Sequence, residues 1–341
     1  MHGIKVLLKD AEKTKSLLKE KGLYDFSRTF EKTKNKIIFP VISLEKARKL
    51  FPGAEFVKKA LVKKKKITKL LQVVGKKLTK KELGLLKRAY DVVGTIAILE
   101  IPKELEKKEK ILADAIMKLN KRIKSVVKKA GGHIVEFRVQ KMKHLAGKKT
   151  KEAIHGENGI RLKLNVEKVY FSPRLSAERL RIAKLVKKGE KVLVMFSGCA
   201  PYICVIAKNS NAKEIVGIEV NPKGHKYAVE NLKLNKISNA RLYLGDARKI
   251  IPILNEKFDR ILMPLPKSAE DFLDSAFLAA KKGTIIHFYD FLHETEIPHR
   301  AFYKIEKACK RNKLKCKILN WVKCGQHAPR VYRICVDFEV I

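Results

Sequence analysis

Val192-Leu193-Val194-Met195-Phe196-Ser197-Gly198-Cys199-Ala200-Pro201-Tyr202 is the stretch that decides how this 341-residue chain is read. Its apolar start reads as a strand buried on both faces, and Gly198 permits a tight turn where backbone can approach a ligand. Residues 200–208 then read as a helix, 214–219 as a strand, 222–234 as a helix and 241–244 as a strand. Residues 258–263, 269–280, 284–289 and 298–312 continue the alternation. Repeated βαβ units imply a parallel sheet with helices on both faces. The last two runs, 315–322 and 331–340, have no helix between them, which predicts a terminal strand inserted antiparallel.

One glycine does not make G-x-G-x-x-G, so the turn alone is a weak signal. Glu219 strengthens it, because it ends the next strand roughly 20 residues on, where doubly wound folds place an acid on the ribose hydroxyls of a nucleotide cofactor. Asp246, in Leu244-Gly245-Asp246-Ala247-Arg248 after the third strand, stands where an adenine amino group would be held. Each has a bland alternative: an ordinary turn, a cap for the helix near Pro222, a loop acid. Their occurrence in order at successive strand ends favours the cofactor site.

Upstream, residues 4–8 read as a strand, a helical stretch runs through Leu18, and 37–42 is a second apolar run, together a small α+β module over 1–57. The basic run Lys58-Lys59-Ala60-Leu61-Val62-Lys63-Lys64-Lys65-Lys66 opposes burial and reads as a solvated linker over 58–70 that could also meet phosphate. The middle region, 71–172, opens with a helix, then a strand over 92–101 closed by Pro102. A long amphipathic helix over 103–129, ended by Gly131-Gly132, and a strand over 133–140 follow. Residues 151–155 and 160–166 are joined through Glu157-Asn158-Gly159, a hairpin signal.

The formal charge is +42, from 77 Lys+Arg against 35 Asp+Glu, which builds a positive potential suited to a polyanion. Lysine enrichment by hot growth alone would raise glutamate with it, and here acids lag. With 45% hydrophobic residues and no apolar run approaching the roughly 20 of a membrane span, the chain reads as soluble and cytoplasmic. Six cysteines form no C-x-x-C pair, so reduced buried thiols and no metal site are expected.

Before the nucleotide fold stands Val169-Tyr170-Phe171-Ser172-Pro173-Arg174-Leu175-Ser176-Ala177-Glu178-Arg179-Leu180-Arg181, in which Ser176 could cap a helix. Its aromatic pair and clustered charges offer a stacking surface, phosphate ligands and a carboxylate together. A charged helix start joining two domains is the bland reading. With Glu136-Phe137-Arg138, His144-Leu145-Ala146-Gly147, residues 195–202, Met263-Pro264-Leu265-Pro266-Lys267 and Ala328-Pro329-Arg330, this segment makes the chain resemble the archaeal and eukaryotic tRNA (guanine-37-N1) methyltransferase family over essentially its whole length.

The resemblance implies an α/β fold: a C-terminal class I, Rossmann-like methyltransferase domain over 173–341 preceded by two smaller α+β domains. It implies S-adenosylmethionine as cofactor, tRNA as substrate and no obligate protein partner. Glu178 maps onto the family's general base and Arg138 onto the arginine at guanine O6. Phe196, Gly198, Glu219, Asp246, Pro264 and Arg174 fall at the cofactor, and Tyr170, Arg181, Pro266, Lys267 and Arg330 at the substrate. Tyr170 suits either a stacked target base or a core, and Arg181 suits either orienting Glu178 or contacting phosphate. The family's Asn-Leu-Pro-Lys stands here as Pro264-Leu265-Pro266-Lys267, and proline supplies neither amide nor backbone donor. Val194 likewise replaces an acid found in some relatives. Two rivals stay open: a wyosine-pathway enzyme transferring methyl or aminocarboxypropyl at position 37, and a tRNA-binding protein without catalysis.

Overall fold

The computed structural model describes residues 2–25, 27–59, 61–62, 69–75, 77–87, 89–134 and 137–341, in two compact units, Met1–Gly75 and Lys76–Ile341. No helix among the described residues is long and apolar enough to cross a membrane.

The first unit is an antiparallel sheet of β1 (His2–Leu7), β2 (Glu31–Lys32), β3 (Lys36–Pro40) and β4 (Glu55–Lys58), ordered β2-β3-β1-β4. Helices α1 (Ala11–Glu20), α2 (Leu44–Leu50) and α3 (Lys69–Val74) complete it, and Ser43 caps α2 by accepting from the Lys46 amide. Ile4, Leu18, Phe39 and Ala47 form its core. The expected solvated linker is corrected at its start. Lys58 closes β4, Leu61 is buried, and Arg28 and Thr29 bond the carbonyls of Leu61 and Val62 at 2.9 Å each. Apolar Leu61 interrupts the lysines and gives the segment something to dock, while the Val62 side chain stays exposed; Lys63 to Lys66 lie outside the described residues.

The second unit opens with α4 (Lys80–Leu85) and a sheet ordered β5-β6-β7-β8: β5 (Asp91–Val93), β6 (Ile96–Leu99), β7 (Ser125–Ile134) and β8 (Val139–Gly147). The run 92–101 is thus a hairpin turning at Gly94 (φ 55°), not one strand. The expected helix over 103–129 is two elements, a 3-10 turn at Lys103–Lys108 and α5 (Glu109–Leu119). It stops because Ser125-Val126-Val127 pairs in parallel with β6, both valines being fully buried, and tertiary pairing overrides helical periodicity. Gly131 therefore lies within β7 at a register shift, and 133–140 spans the β7–β8 turn.

Hairpin β9 (Glu152–Glu157) and β10 (Ile160–Asn165) turns at Asn158 (φ 44°) and Gly159 (φ 78°), the two left-handed residues of a type I′ turn. The free edge of β10 is satisfied by side chains of α8 (Pro222–Leu234) and its C-cap. Asn231 brackets Lys163 at 2.7 and 3.0 Å and Asn235 brackets Arg161 at 2.8 and 2.6 Å. Glu157 also takes the buried Arg179 guanidinium in two bonds, which would leave a stranded charge at about 3–5 kcal/mol if either partner were removed.

The sheet that follows has seven strands: β11 (Lys191–Val194), β12 (Glu214–Glu219), β13 (Ala240–Leu244), β14 (Phe258–Met263), β15 (Ala280–His293), β16 (Cys316–Ala328) and β17 (Val331–Val340). Their order is β13-β12-β11-β14-β15-β17-β16, with the first five parallel and β17 antiparallel between β15 and β16, as the helix-free C-terminus predicts. Helices α6 (Ser176–Leu185), α7 (Pro201–Asn209), α9 (Ala247–Leu254), α10 (Leu273–Leu278) and α11 (His299–Arg311) join α8 around it. Ile286, Phe288, Ile334, Val336 and Phe338 pack into one core cluster. The strand alternation turns His287, Tyr289, Cys335 and Asp337 the other way. All six cysteines are free thiols, four of them buried.

Candidate active site

The turn after β11 is held by hydrogen bonds that it donates to the end of the neighbouring strand β12. Ser197 N–H donates to Ile218 O at 2.8 Å, and Gly198, at φ 55°, donates to Glu219 Oε2 at 2.6 Å. The other Glu219 oxygen accepts from Asn221 N–H at 2.8 Å. Glu219 is not the cap of α8; Asn221 is, accepting from the Lys223 amide. Burial raises the Glu219 carboxyl above its usual range, with these amides opposing. Gly224 lets α8 approach closely, since a Cβ there would stand 3.2 Å from Glu219 Cγ.

One strand over, Asp246 caps α9 by accepting from Arg248 N–H at 2.8 Å and also holds that arginine's guanidinium at 2.5 Å. Arg248 lies over the Phe272 ring at 5.0 Å, and Phe272 meets Phe196 edge-on at 4.8 Å. Gly198, Glu219, Asp246 and Pro264 thus stand at the C-terminal ends of adjacent parallel strands, where open α/β sheets bind nucleotides. An apolar wall, two carboxylates and a close backbone turn fit an adenosine-bearing cofactor. Phe272 was not legible beside this turn, because only the packed fold brings it to Phe196 and beneath Arg248, whereas Arg248 stands two residues after Asp246 along the chain.

Glu178 is on the first turn of α6 and only 6% exposed. Leu175 occupies the N-cap position without a side-chain bond, so Ser176 does not cap the helix; its Oγ accepts from Asn158 instead. Arg181, three residues on and so on the same face, donates to both Glu178 oxygens at 2.7 and 2.8 Å. Tyr289 hydroxyl adds a third bond at 2.7 Å and is itself met by Tyr202 at 3.0 Å. Arg181 also donates to Asp337 at 2.6 and 3.2 Å. Burial would lower its guanidinium, but the two carboxylates outweigh that and raise it. Of the two readings open for Arg181, the geometry engages it with carboxylates. Tyr289 and Asp337 were missed; the signal was single polar side chains set among apolar ones, such as Asp337 between Val336 and Phe338.

Arg138 lies in the β7–β8 turn at φ 53°, a left-handed conformation uncommon outside glycine, rather than in a strand. Its Nη2 donates to Ser268 Oγ at 3.3 Å, which brings it beside the loop after β14; Glu136 lies outside the described residues. Burial lowers its guanidinium below the ordinary value, Tyr170 opposes this, and Arg333 adds to it. Tyr170 is 43% exposed, so it is not a core aromatic, and its hydroxyl accepts from Arg333 at 2.8 Å. Arg333 in turn covers the Phe291 ring at 5.1 Å.

The remaining sequence-derived residues divide. Pro266 is buried and Lys267 exposed beside Ser268, and Arg330, at φ 59°, projects from the β16–β17 turn, 3.6 Å from Glu294. Arg174 points elsewhere than the Gly198 turn, its Nε held by Asp91 of β5 at 2.7 Å. His287, Cys335 and Asp337 lie within 4.8 Å of one another, but guanidinium groups of Arg181 and Arg260 flank them and disfavour a cation, so we assign no metal.

A family model of the TRM5/TYW2 methyltransferase domain matches residues 153–319, one of the TYW2 N-terminal domain residues 70–150, and one of the tRNA methyltransferase 5 N-terminal domain residues 3–47. The chain is 36% identical to the tRNA (guanine(37)-N(1))-methyltransferase Trm5b of Pyrococcus abyssi, over 99% of this chain and 98% of that one. It is 31% identical, over 80% of this chain and 96% of the relative, to the tRNA(Phe) (4-demethylwyosine(37)-C(7)) aminocarboxypropyltransferase of Pyrococcus horikoshii. A solved complex of aTrm5 and tRNALeu superposes with a TM-score of 0.70 at 31% identity, covering all of both chains. Matched from its first strand through its methyltransferase sheet, with the cofactor turn and the buried carboxylate in place, the chain belongs to the TRM5/TYW2 methyltransferase family.

Proposed function

We propose that the chain methylates N1 of guanosine 37 in tRNA, with S-adenosylmethionine as donor. The observation that carries the reading is Glu178: a buried carboxylate to which, among the described residues, only Arg181 and Tyr289 are bonded, in the same unit as the Gly198–Glu219 turn. Guanine N1 carries a proton at neutral pH, so its lone pair becomes available only as that proton leaves, and Glu178 is the group to accept it. Negative charge then grows on O6, and Arg138 would stabilise it more in the transition state than in the ground state. The bound cofactor supplies an electrophilic methyl carbon whose bond to sulfur breaks as the bond to N1 forms. Tyr170 offers an exposed ring on which the target base could stack, and Lys267 and Arg330 an exposed basic edge for the tRNA, with buried Pro266 shaping the loop beneath Lys267. Glu219 would hold the ribose, and Asp246 the adenine once Arg248 yields. Incubation with unmodified tRNA transcript and cofactor, followed by nucleoside mass spectrometry, tests the reading; no 1-methylguanosine would sink it.

Pro264 and the aminocarboxypropyltransferase relative favour a second reading, a wyosine-pathway reaction at the same nucleotide. The mass added to the nucleoside separates the two. We further propose a cytoplasmic monomer, since the thiols are all free and a charge of +42 opposes self-association.

Binding to tRNA is expected to weaken steeply with salt, because lysines and arginines that meet phosphate release condensed counterions. Removing residues 1–75, a unit with its own core, is expected to weaken tRNA binding while leaving cofactor binding intact. Titration calorimetry checks this, and lost cofactor affinity in the truncated protein would contradict it.

A further inference from the structure

Arg181 divides one positive charge between two carboxylates, Glu178 and Asp337, so the trio keeps a single net negative charge. Asp337 is fixed from its far side by His287, whose Nδ1 lies 2.6 Å from Oδ1. Arg260 stands 2.8 Å from His287 Nε2, and a guanidinium can only donate. Nε2 is therefore the acceptor, Nδ1 carries the proton, and the ring is neutral. Burial likewise lowers the imidazole, with Asp337 opposing. Arg260 is anchored on Glu190 at 2.7 and 2.9 Å and on Leu185 O at 2.8 Å. The chain of bonds thus leaves α6 at Glu178, crosses β17, β15 and β14, and returns to the last residue of α6.

We propose that Asp337 is a positioning residue for Glu178: by occupying half of the Arg181 guanidinium, it keeps Glu178 oriented yet able to accept a proton. The inference rests on the general-base reading above. A guanidinium fork given wholly to one carboxylate is among the strongest charge-assisted pairs and stabilises the ionised acid against protonation. Sharing the fork weakens that hold without releasing the geometry. The other titratable groups facing this cluster are Tyr202 on α7, Tyr289 on β15, Cys324 on β16 and Cys335 on β17. Burial pushes all four above their ordinary values, so they stay neutral. Asp337 stays charged: burial alone would raise its carboxyl, but the bonds from His287 and Arg181 outweigh that and hold it well below the usual range. Among the described residues, Asp337 is then the charged group that competes with Glu178 for Arg181.

The test is Asp337→Asn in single-turnover methylation of a tRNA transcript across pH. The rate at neutral pH is expected to fall ~10-fold, part of the whole general-base contribution, and the acid limb of the pH–rate profile to move to lower pH. Cofactor and tRNA affinities should hold. A folded variant with an unmoved limb overturns the inference, because a merely structural role would change stability and leave the profile in place. Should Asp337→Asn fail to fold by circular dichroism, Arg181→Lys asks the same question. One ammonium can serve only one of the carboxylates well, so the limb must move, and an unmoved limb again overturns it. Glu178→Gln in the same assay separates the two readings. Full activity there removes the general base and this inference with it; lost activity there, with an unmoved limb in Asp337→Asn, removes the inference alone.

Discussion

Glu178→Gln is expected to fold and bind both tRNA and cofactor, yet to lose most of its single-turnover rate at neutral pH. The amide keeps the shape of the side chain and removes the proton acceptor, and positioned general bases contribute about 10²- to 10⁴-fold. Some stability should go as well. With its oxygen at the Oε1 position, glutamine still accepts from Tyr289 and one arm of Arg181, but its NH₂ then faces the Arg181 Nε–H that Glu178 Oε2 accepts at 2.7 Å. Two donors facing each other leave one unsatisfied, at about 1–3 kcal/mol, which thermal unfolding would register as a modest drop in Tm. The activity loss should ease at high pH, where guanine N1 loses its proton unaided. A mutant rate equal to the parent's at neutral pH would remove Glu178 from the proton transfer.

Why the groups bonded to Glu178 could not be read from sequence is a matter of distance along the chain. Gly198, Glu219 and Asp246 follow strands whose order is local, so each βα junction announces its own end of the sheet. Arg181 sits within one helical turn of Glu178 and was legible as a neighbour, although its partner was not. Tyr289 is 111 residues from Glu178, and Asp337 is 156 from Arg181. Their meeting depends on β17 entering between β15 and β16 in the register that opposes His287 to Asp337. A one-residue slip of β17 would turn Asp337 to the other face of the sheet, away from His287. The helix expected over 103–129 failed for a related reason: its apolar spacing continues past Leu119, but Val126 and Val127 gain more by pairing with β6 than by extending α5. Arg174 shows the converse limit, since a segment can match a motif while one of its side chains turns to Asp91 of the neighbouring sheet.

Arg138→Ala is expected to lower the single-turnover rate on the order of 10²- to 10³-fold, the loss associated with removing one donor from a developing oxyanion. Cofactor affinity should barely change, because Arg138 bonds Ser268 beyond β14 and not the Gly198–Glu219 turn. Its half-buried guanidinium is suited to this task. Burial and the nearby Arg333 already lower it from its ordinary value, so a forming negative charge would relieve a cost that the free enzyme carries. Base choice then discriminates chemistry from scaffolding. Inosine at position 37 keeps both N1–H and O6 and should remain a substrate. Adenosine offers no N1 proton and presents an amino group to the arginine, so it should fail. If Arg138 served only to fasten the β7–β8 turn, its removal would lower stability and shift no base preference. Methylation of adenosine-37 tRNA at a rate comparable with guanosine-37 tRNA would refute the assigned chemistry. Pro264 makes that comparison the decisive one, because no side-chain amide stands at that position to read the base, and under the proposed chemistry discrimination would come from the proton that Glu178 takes and the oxygen that Arg138 meets.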